Sequence, residues 1–110
     1  MGEPIIDFSE YQVLSAIREK LNWTNYSYLL SEGLFGSYQT QLIFSTISEF
    51  HNKSTADLTT VGLKALLYSR VKANEREQYR IAISRIRKGH LKDALIIETV
   101  LKRFVKRQQL

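Results

Sequence analysis

Apolar residues recur at three-to-four-residue spacing along most of the chain, and no stretch alternates with a period of two for more than a few residues. Val13, Leu14, Ile17 and Leu21 share one helical face, and Asp7 or Ser9 can accept bonds from the free N–H groups that open a helix, which predicts a first helix over roughly residues 8–21. In "NWTNYSYLLSEGLFG", Thr24 or Asn25 offers a cap, Tyr28, Leu29 and Leu30 a short apolar turn, and Gly33 and Gly36 can take positive φ; the pattern predicts a short helix and then a turn. Ser37 then caps a helix whose face is Leu42, Ile43, Ile47 and Phe50, with Tyr38 and Phe44 at its margins. Gln39, Gln41, Ser45, Ser48 and Glu49 point outward, and Asn52, Lys53 and Ser54 end this core helix.

Val61, Leu63, Ala65, Leu66 and Leu67 predict a helix from about Thr59 to Ser69, with Gly62 marking a close helix contact. Asn74 and Glu77 fit a capping box, opening a helix that carries Tyr79, Ile81, Ala82, Ile83 and Ile86 and stops at Lys88 and Gly89. The last segment, "HLKDALIIETVLKRFVKRQQL", is the strongest helix: Ile97, Leu101 and Phe104 together with Leu95, Ile96 and Val100 make a face too broad for a surface helix. It runs to the final residue without a stop signal, so the natural chain is expected to continue. The fold expected is an all-α bundle of about six helices.

A length of 110 residues suits one domain with a single core, and 44% hydrophobic with 25% charged residues is the balance of a folded chain. Without cysteine there is no disulfide, thiolate metal site or cysteine nucleophile. The apolar runs are short and the N-terminus lacks a basic segment followed by an apolar one, so neither a membrane span nor a signal peptide is expected. The net charge of +5 is unevenly placed: residues 1–69 carry four basic and seven acidic side chains, a net of −3, and residues 70–110 carry twelve and four, a net of +8. An anionic partner for the C-terminal part, nucleic acid or an acidic protein surface, fits this asymmetry, as does a solvated helix face.

Little else suggests chemistry. The two histidines, His51 and His90, stand at predicted helix boundaries with no second ligand at helical spacing, and read as capping or surface residues. Asp57 in "STADL" reads as a turn or cap. There is no GxxxxGK[ST], GxGxxG or GxSxG motif to support nucleotide hydrolysis or triad chemistry. Trp23, Tyr26, Tyr28, Phe35, Tyr38 and Phe44 lie in the acidic part among leucines and isoleucines, which assigns them to the core and not to base stacking. One nucleic-acid pattern stands out: "NEREQYRIAISRIRKG" puts Arg76, Arg80, Arg87 and Lys88 near one side of a helix, as a phosphate-contacting helix would.

Three features occur in a telling order. Glu10 stands with Val13 and Leu14; "LFGSYQTQLIFSTISEFHNKSTADLTTVGLKALL" supplies Phe35, Ile43, Phe44, Ile47 and Phe50, then Asp57 and Leu58; "LKDALIIETVLKRFVKRQQL" closes the chain. This order resembles the N-terminal domain of DnaB-family replicative helicases, particularly the divergent phage versions. The chain lacks the small-residue and glycine sequence that follows the early "VL" in bacterial members and has a more basic end.

The resemblance implies a globular helical part at residues 1–90 and, at 91–110, the first arm of a helical hairpin in the same domain. It implies a non-catalytic collar module that assembles into a ring and engages primase or a helicase loader in the cytoplasm of a bacterial or phage-infected cell. No cofactor is expected here; ATP and magnesium would serve the motor of the full-length parent, beyond Leu110. Ile97, Leu101 and Phe104 are then expected to bury against a neighbouring subunit, so that Leu101→Asp weakens self-association. Arg76, Arg80, Arg87, Lys102, Arg103, Lys106 and Arg107 are the expected contacts to an anionic partner. The competing readings are a small basic DNA-binding protein and the helicase-binding C-terminal domain of a primase.

Overall fold

Val13, Leu14 and Ile17, the apolar face that predicts the first helix, are fully buried at the centre of the fold. In a computed structural model describing residues 8–108, they belong to α1 (Phe8–Ile17), which packs against α2 (Lys20–Tyr26), which follows it at once, and against three of the four later helices. The chain then makes two single 3-10 turns and continues as α3 (Tyr38–Lys53), α4 (Thr60–Tyr68), α5 (Arg76–Lys88, after a third 3-10 turn) and α6 (Ala94–Gln108). There is no strand among the described residues, and the architecture is the expected all-α bundle. The proposed Asp7 cap and the last two residues of the expected final helix lie outside the described residues.

The first predicted helix is in fact two. The chain turns at Arg18 and Glu19, the latter extended at φ −77° and ψ 130°, and Leu21, expected on the core face, is 70% exposed. Tertiary bonds set this break. The Leu58 N–H donates to the Arg18 carbonyl (2.8 Å) and Arg18 Nη1 donates back to the Leu58 carbonyl (2.9 Å). Asn22 Nδ2 donates to the Ala16 carbonyl (2.9 Å), and His51 Nε2 to that of Ile17 (2.7 Å). The carbonyls of Ala16, Ile17 and Arg18, where α1 ends, thus find partners. The start of α2 is capped from a distance, Asp57 Oδ1 accepting from the Lys20 N–H at 2.8 Å.

Ser37 caps α3 as expected, and Thr40 completes a capping box with it. Glu10 reaches from α1 to the same terminus, accepting from the Gly36 N–H (2.7 Å) and Thr40 Oγ1 (2.9 Å), where the helix dipole favours a carboxylate. The buried stripe of α3 runs through Thr40, Ile43, Phe44, Ile47 and His51, leaving Leu42 and Phe50 only half-buried. Phe35, 2% exposed, seats the preceding loop between Phe44 of α3 (5.0 Å between centroids) and Phe104 of α6 (5.3 Å). Tyr28 and Tyr38, expected inside, are 78% and 74% exposed. No glycine among the described residues has positive φ; Gly33 sits within a 3-10 turn.

Thr59 caps α4, its hydroxyl accepting from the Gly62 N–H. A Cβ at Gly62 would meet Leu58 Cδ1 and Thr59 Oγ1, each at 3.2 Å, so this glycine makes room for its own helix cap and not for a second helix. The Asn74–Glu77 box does not form. Glu75 accepts from the Lys72 N–H at the 3-10 turn instead, and Glu77 pairs with Arg80. Gly89 ends α5 against the backbone of α1: a Cβ there would lie 3.3 Å from Gln12 N.

Asp93 opens α6, accepting from the N–H groups of Leu95 and Ile96, and the helix lies along α1. Ile97, Leu101, Phe104 and Val105 are buried inside the bundle, at 5, 0, 0 and 8% exposure. The expectation that Ile97, Leu101 and Phe104 meet a neighbouring subunit is therefore corrected: the core of the same chain, with α1 along the helix and Phe35 against Phe104, already buries them. The side of α6 left open carries Leu95, 71% exposed, and Ile96, 50% exposed.

Candidate functional site

The seven basic residues singled out in the sequence are all exposed, but they do not form one surface. Lys102, Arg103, Lys106 and Arg107 lie on α6. Lys102 is paired with Glu98 at 2.8 Å, which raises its pKa. Arg76, Arg80 and Arg87 lie on α5, where they join residues of α4 that the sequence does not single out.

The α4–α5 surface is built by helical periodicity and packing. Arg76, Arg80, Ser84 and Arg87 follow at intervals of four, four and three residues along one side of α5, and Thr60, Lys64 and Tyr68 follow at intervals of four along α4. The two helices pack together. Lys64, Arg80, Ile83, Ser84 and Arg87 line a cleft of about 250 Å³ between them. At one end the Tyr68 ring has Lys64 Nζ 5.4 Å from its centroid and the Arg76 guanidinium 5.3 Å away, cation–π distances that hold both cations beside it. At the other end Arg87 continues into a second hollow with Arg18, Thr59, Thr60 and His90.

The electrostatics of this strip are positive. Glu77 is engaged by Arg80 through Nε (2.9 Å) and Nη2 (2.5 Å), which raises the pKa of Arg80 and lowers that of the carboxyl. Among the described residues Lys64, Arg76 and Arg87 have no carboxylate partner. Burial holds Arg18 below the ordinary guanidinium range; Glu19 opposes that shift and Arg87 adds to it. Four cations along the cleft, with Glu77 held by Arg80 and Glu75 bonded to the Lys72 N–H, can hold an extended polyanion by charge.

The remaining candidates serve the fold. His51 is buried and neither surface nor a cap of its own helix; it stacks on Trp23 (5.3 Å, 22°) and caps α1. Asp57 caps α2, and His90 is exposed beyond α5. Between α3 and α4 a second cleft, of about 260 Å³, is lined by Phe50 and Leu66 and rimmed by Lys53 and the Glu49–Arg70 ion pair. No group of three or more potential metal ligands converges, and no helix is long and apolar enough to cross a membrane, among the described residues. No family model matches the chain, and neither a curated protein nor a solved structure is similar enough to it to count as a match.

Proposed function

We propose that this chain is the non-catalytic collar domain at the N-terminus of a phage-like, DnaB-family replicative helicase, a cytoplasmic module for ring assembly and for docking primase or a helicase loader. ATP and magnesium belong to the motor of the parent protein in this reading. The observation that supports it is the place of the residues carrying the resemblance. Val13, Leu14, Phe35, Ile43, Phe44, Ile47 and Leu58 are buried in one core, with Phe50 half-buried against it, while Glu10 and Asp57 are the carboxylates that tie distant helix ends together. A likeness in hydrophobic order carries weight when the matched positions are the frame of the fold, because these positions are the ones packing constrains.

Because Ile97, Leu101 and Phe104 are used within the monomer, ring contacts in this proposal fall to the open side of α6 at Leu95 and Ile96 and to the hairpin that follows. The experiment is a binding titration of this chain, immobilised, against the primase and the helicase loader of the same source. Saturable binding of one of them supports the collar; absence of binding to both, with each partner shown active, contradicts it.

A further inference from the structure

The α4–α5 strip has a shape and charge apart from the ring contacts proposed above for α6. We propose that it is a docking surface for single-stranded nucleic acid, held through the phosphodiester backbone. The proposal goes beyond the collar reading and stands whether or not that reading holds.

Three observations on the strip point the same way. Its cations come from two helices but fall on one line: Arg76, Arg80 and Arg87 along α5, with Lys64 of α4 against them in the cleft. At 1.5 Å per residue, Arg76 and Arg87 are roughly 16 Å apart along α5, the length of about five stacked nucleotides at 3.4 Å each. The hydroxyl of Ser84 lies inside the line, and those of Thr59 and Thr60 extend it beyond Arg87; with the charges they make up the donor set that phosphate oxygens take.

The second observation is that the local carboxylates are turned aside. Glu77 holds Arg80 alone, and Glu75 is bonded back to the Lys72 N–H. The third is Tyr68, half-buried at one end with Lys64 and Arg76 beside its ring, which adds an aromatic surface to the charged groove. A concave groove with an aromatic at its end suits a flexible single strand that can follow it, the combination that single-strand binding surfaces share. An acidic peptide shares the charge but gains nothing from the ring, and a duplex keeps its bases stacked inside and cannot offer one to it.

The test is fluorescence anisotropy of a labelled oligothymidylate of about 12 nucleotides, titrated with the full chain at about 50 mM and about 200 mM salt. The unmodified protein is expected to saturate at the lower salt and to weaken steeply at the higher. Lys64→Glu with Arg87→Glu is expected to weaken binding at least about tenfold and to reduce the salt slope by about two, whereas Arg103→Glu with Lys106→Glu, the same charge change on α6, costs less than about threefold. Both residues of the first pair are exposed, circular dichroism checks that the fold is kept, and Lys64→Gln with Arg87→Gln supplies a milder pair with a smaller loss of the same sense. A flat titration at low salt, equal losses from the α4–α5 and α6 pairs, equal affinity for a duplex of the same length, or displacement of the strand by oligoglutamate of matched charge would each overturn the proposal.

Discussion

His51 Nε2 donates to the Ile17 carbonyl at 2.7 Å, so a side chain from the last turns of α3 closes the end of α1 across 34 residues. A carbonyl only accepts, so Nε2 carries the proton. Nδ1 is buried without a partner, and a second proton there would place a cation in an apolar site stacked on Trp23 and near Lys20. Burial is the main reason that the pKa of His51 is lowered from its ordinary 6.5, with Lys20 adding to the shift and the bond to Ile17 opposing it.

This lowering makes stability depend on pH. Below about 6.5 the unfolded chain takes up a proton that the folded chain still refuses, so the contribution of His51 is full above that pH and is lost as the pH falls towards the folded pKa. Urea unfolding at a series of pH values between 7 and 5 is expected to show stability falling by up to about 1.4 kcal/mol per pH unit. His51→Gln, which keeps an N–H donor and does not titrate, flattens the curve in that window; an unchanged slope would contradict the assignment.

Leu101 is expected to be a folding residue and not an assembly residue. Leu101→Ala costs about 3 kcal/mol in denaturant unfolding, because it opens a cavity between α6 and α1. Ile96→Ala, on the open side of the same helix, stays within about 0.5 kcal/mol of the parent. Similar costs at both positions would mean that the buried face of α6 is wrongly placed.

The cap from Asp57 to the Lys20 N–H spans 37 residues, so its loss acts on tertiary structure as well as on α2. Asp57→Ala is expected to lower stability by about 1 kcal/mol and Asp57→Asn by less, since asparagine caps nearly as well. Amide hydrogen exchange at Lys20 should rise in Asp57→Ala more than in Asp57→Asn.

Glycines separate by what surrounds them. A methyl group at Gly89 would press on Gln12 N and the Arg85 carbonyl, both backbone and both at 3.3 Å, so Gly89→Ala is expected to cost about 1–3 kcal/mol. Nothing lies within 4 Å of a Cβ at Gly33, and Gly33→Ala is expected to be neutral or to raise stability by up to about 1 kcal/mol. Thermal melts of the two variants should shift in opposite senses or differ clearly in size.

What was legible in the sequence was whatever local periodicity decides. The Ser37 cap, the extent of α3, the α4 span and the stop at Gly89 follow from residues close in the chain. The division of α1 from α2 does not, because the bonds that end one and start the other come from Leu58, Asp57 and His51. Nor does an amphipathic pattern say what covers it: the broad face of α6 is visible, but only the packing shows that Ile97, Leu101 and Phe104 enter the core of the same chain. The candidate surface was half legible. Arg76, Arg80 and Arg87 stood out by their spacing on α5, whereas Lys64 and Tyr68 join them only because α4 folds against that helix.

The collar proposal turns on the intact mass of the native polypeptide in its source, read together with the codons that follow Leu110. A longer chain that continues into a motor domain with a GxxxxGK[ST] phosphate loop is the expected result. A native polypeptide that ends at Leu110 would contradict it.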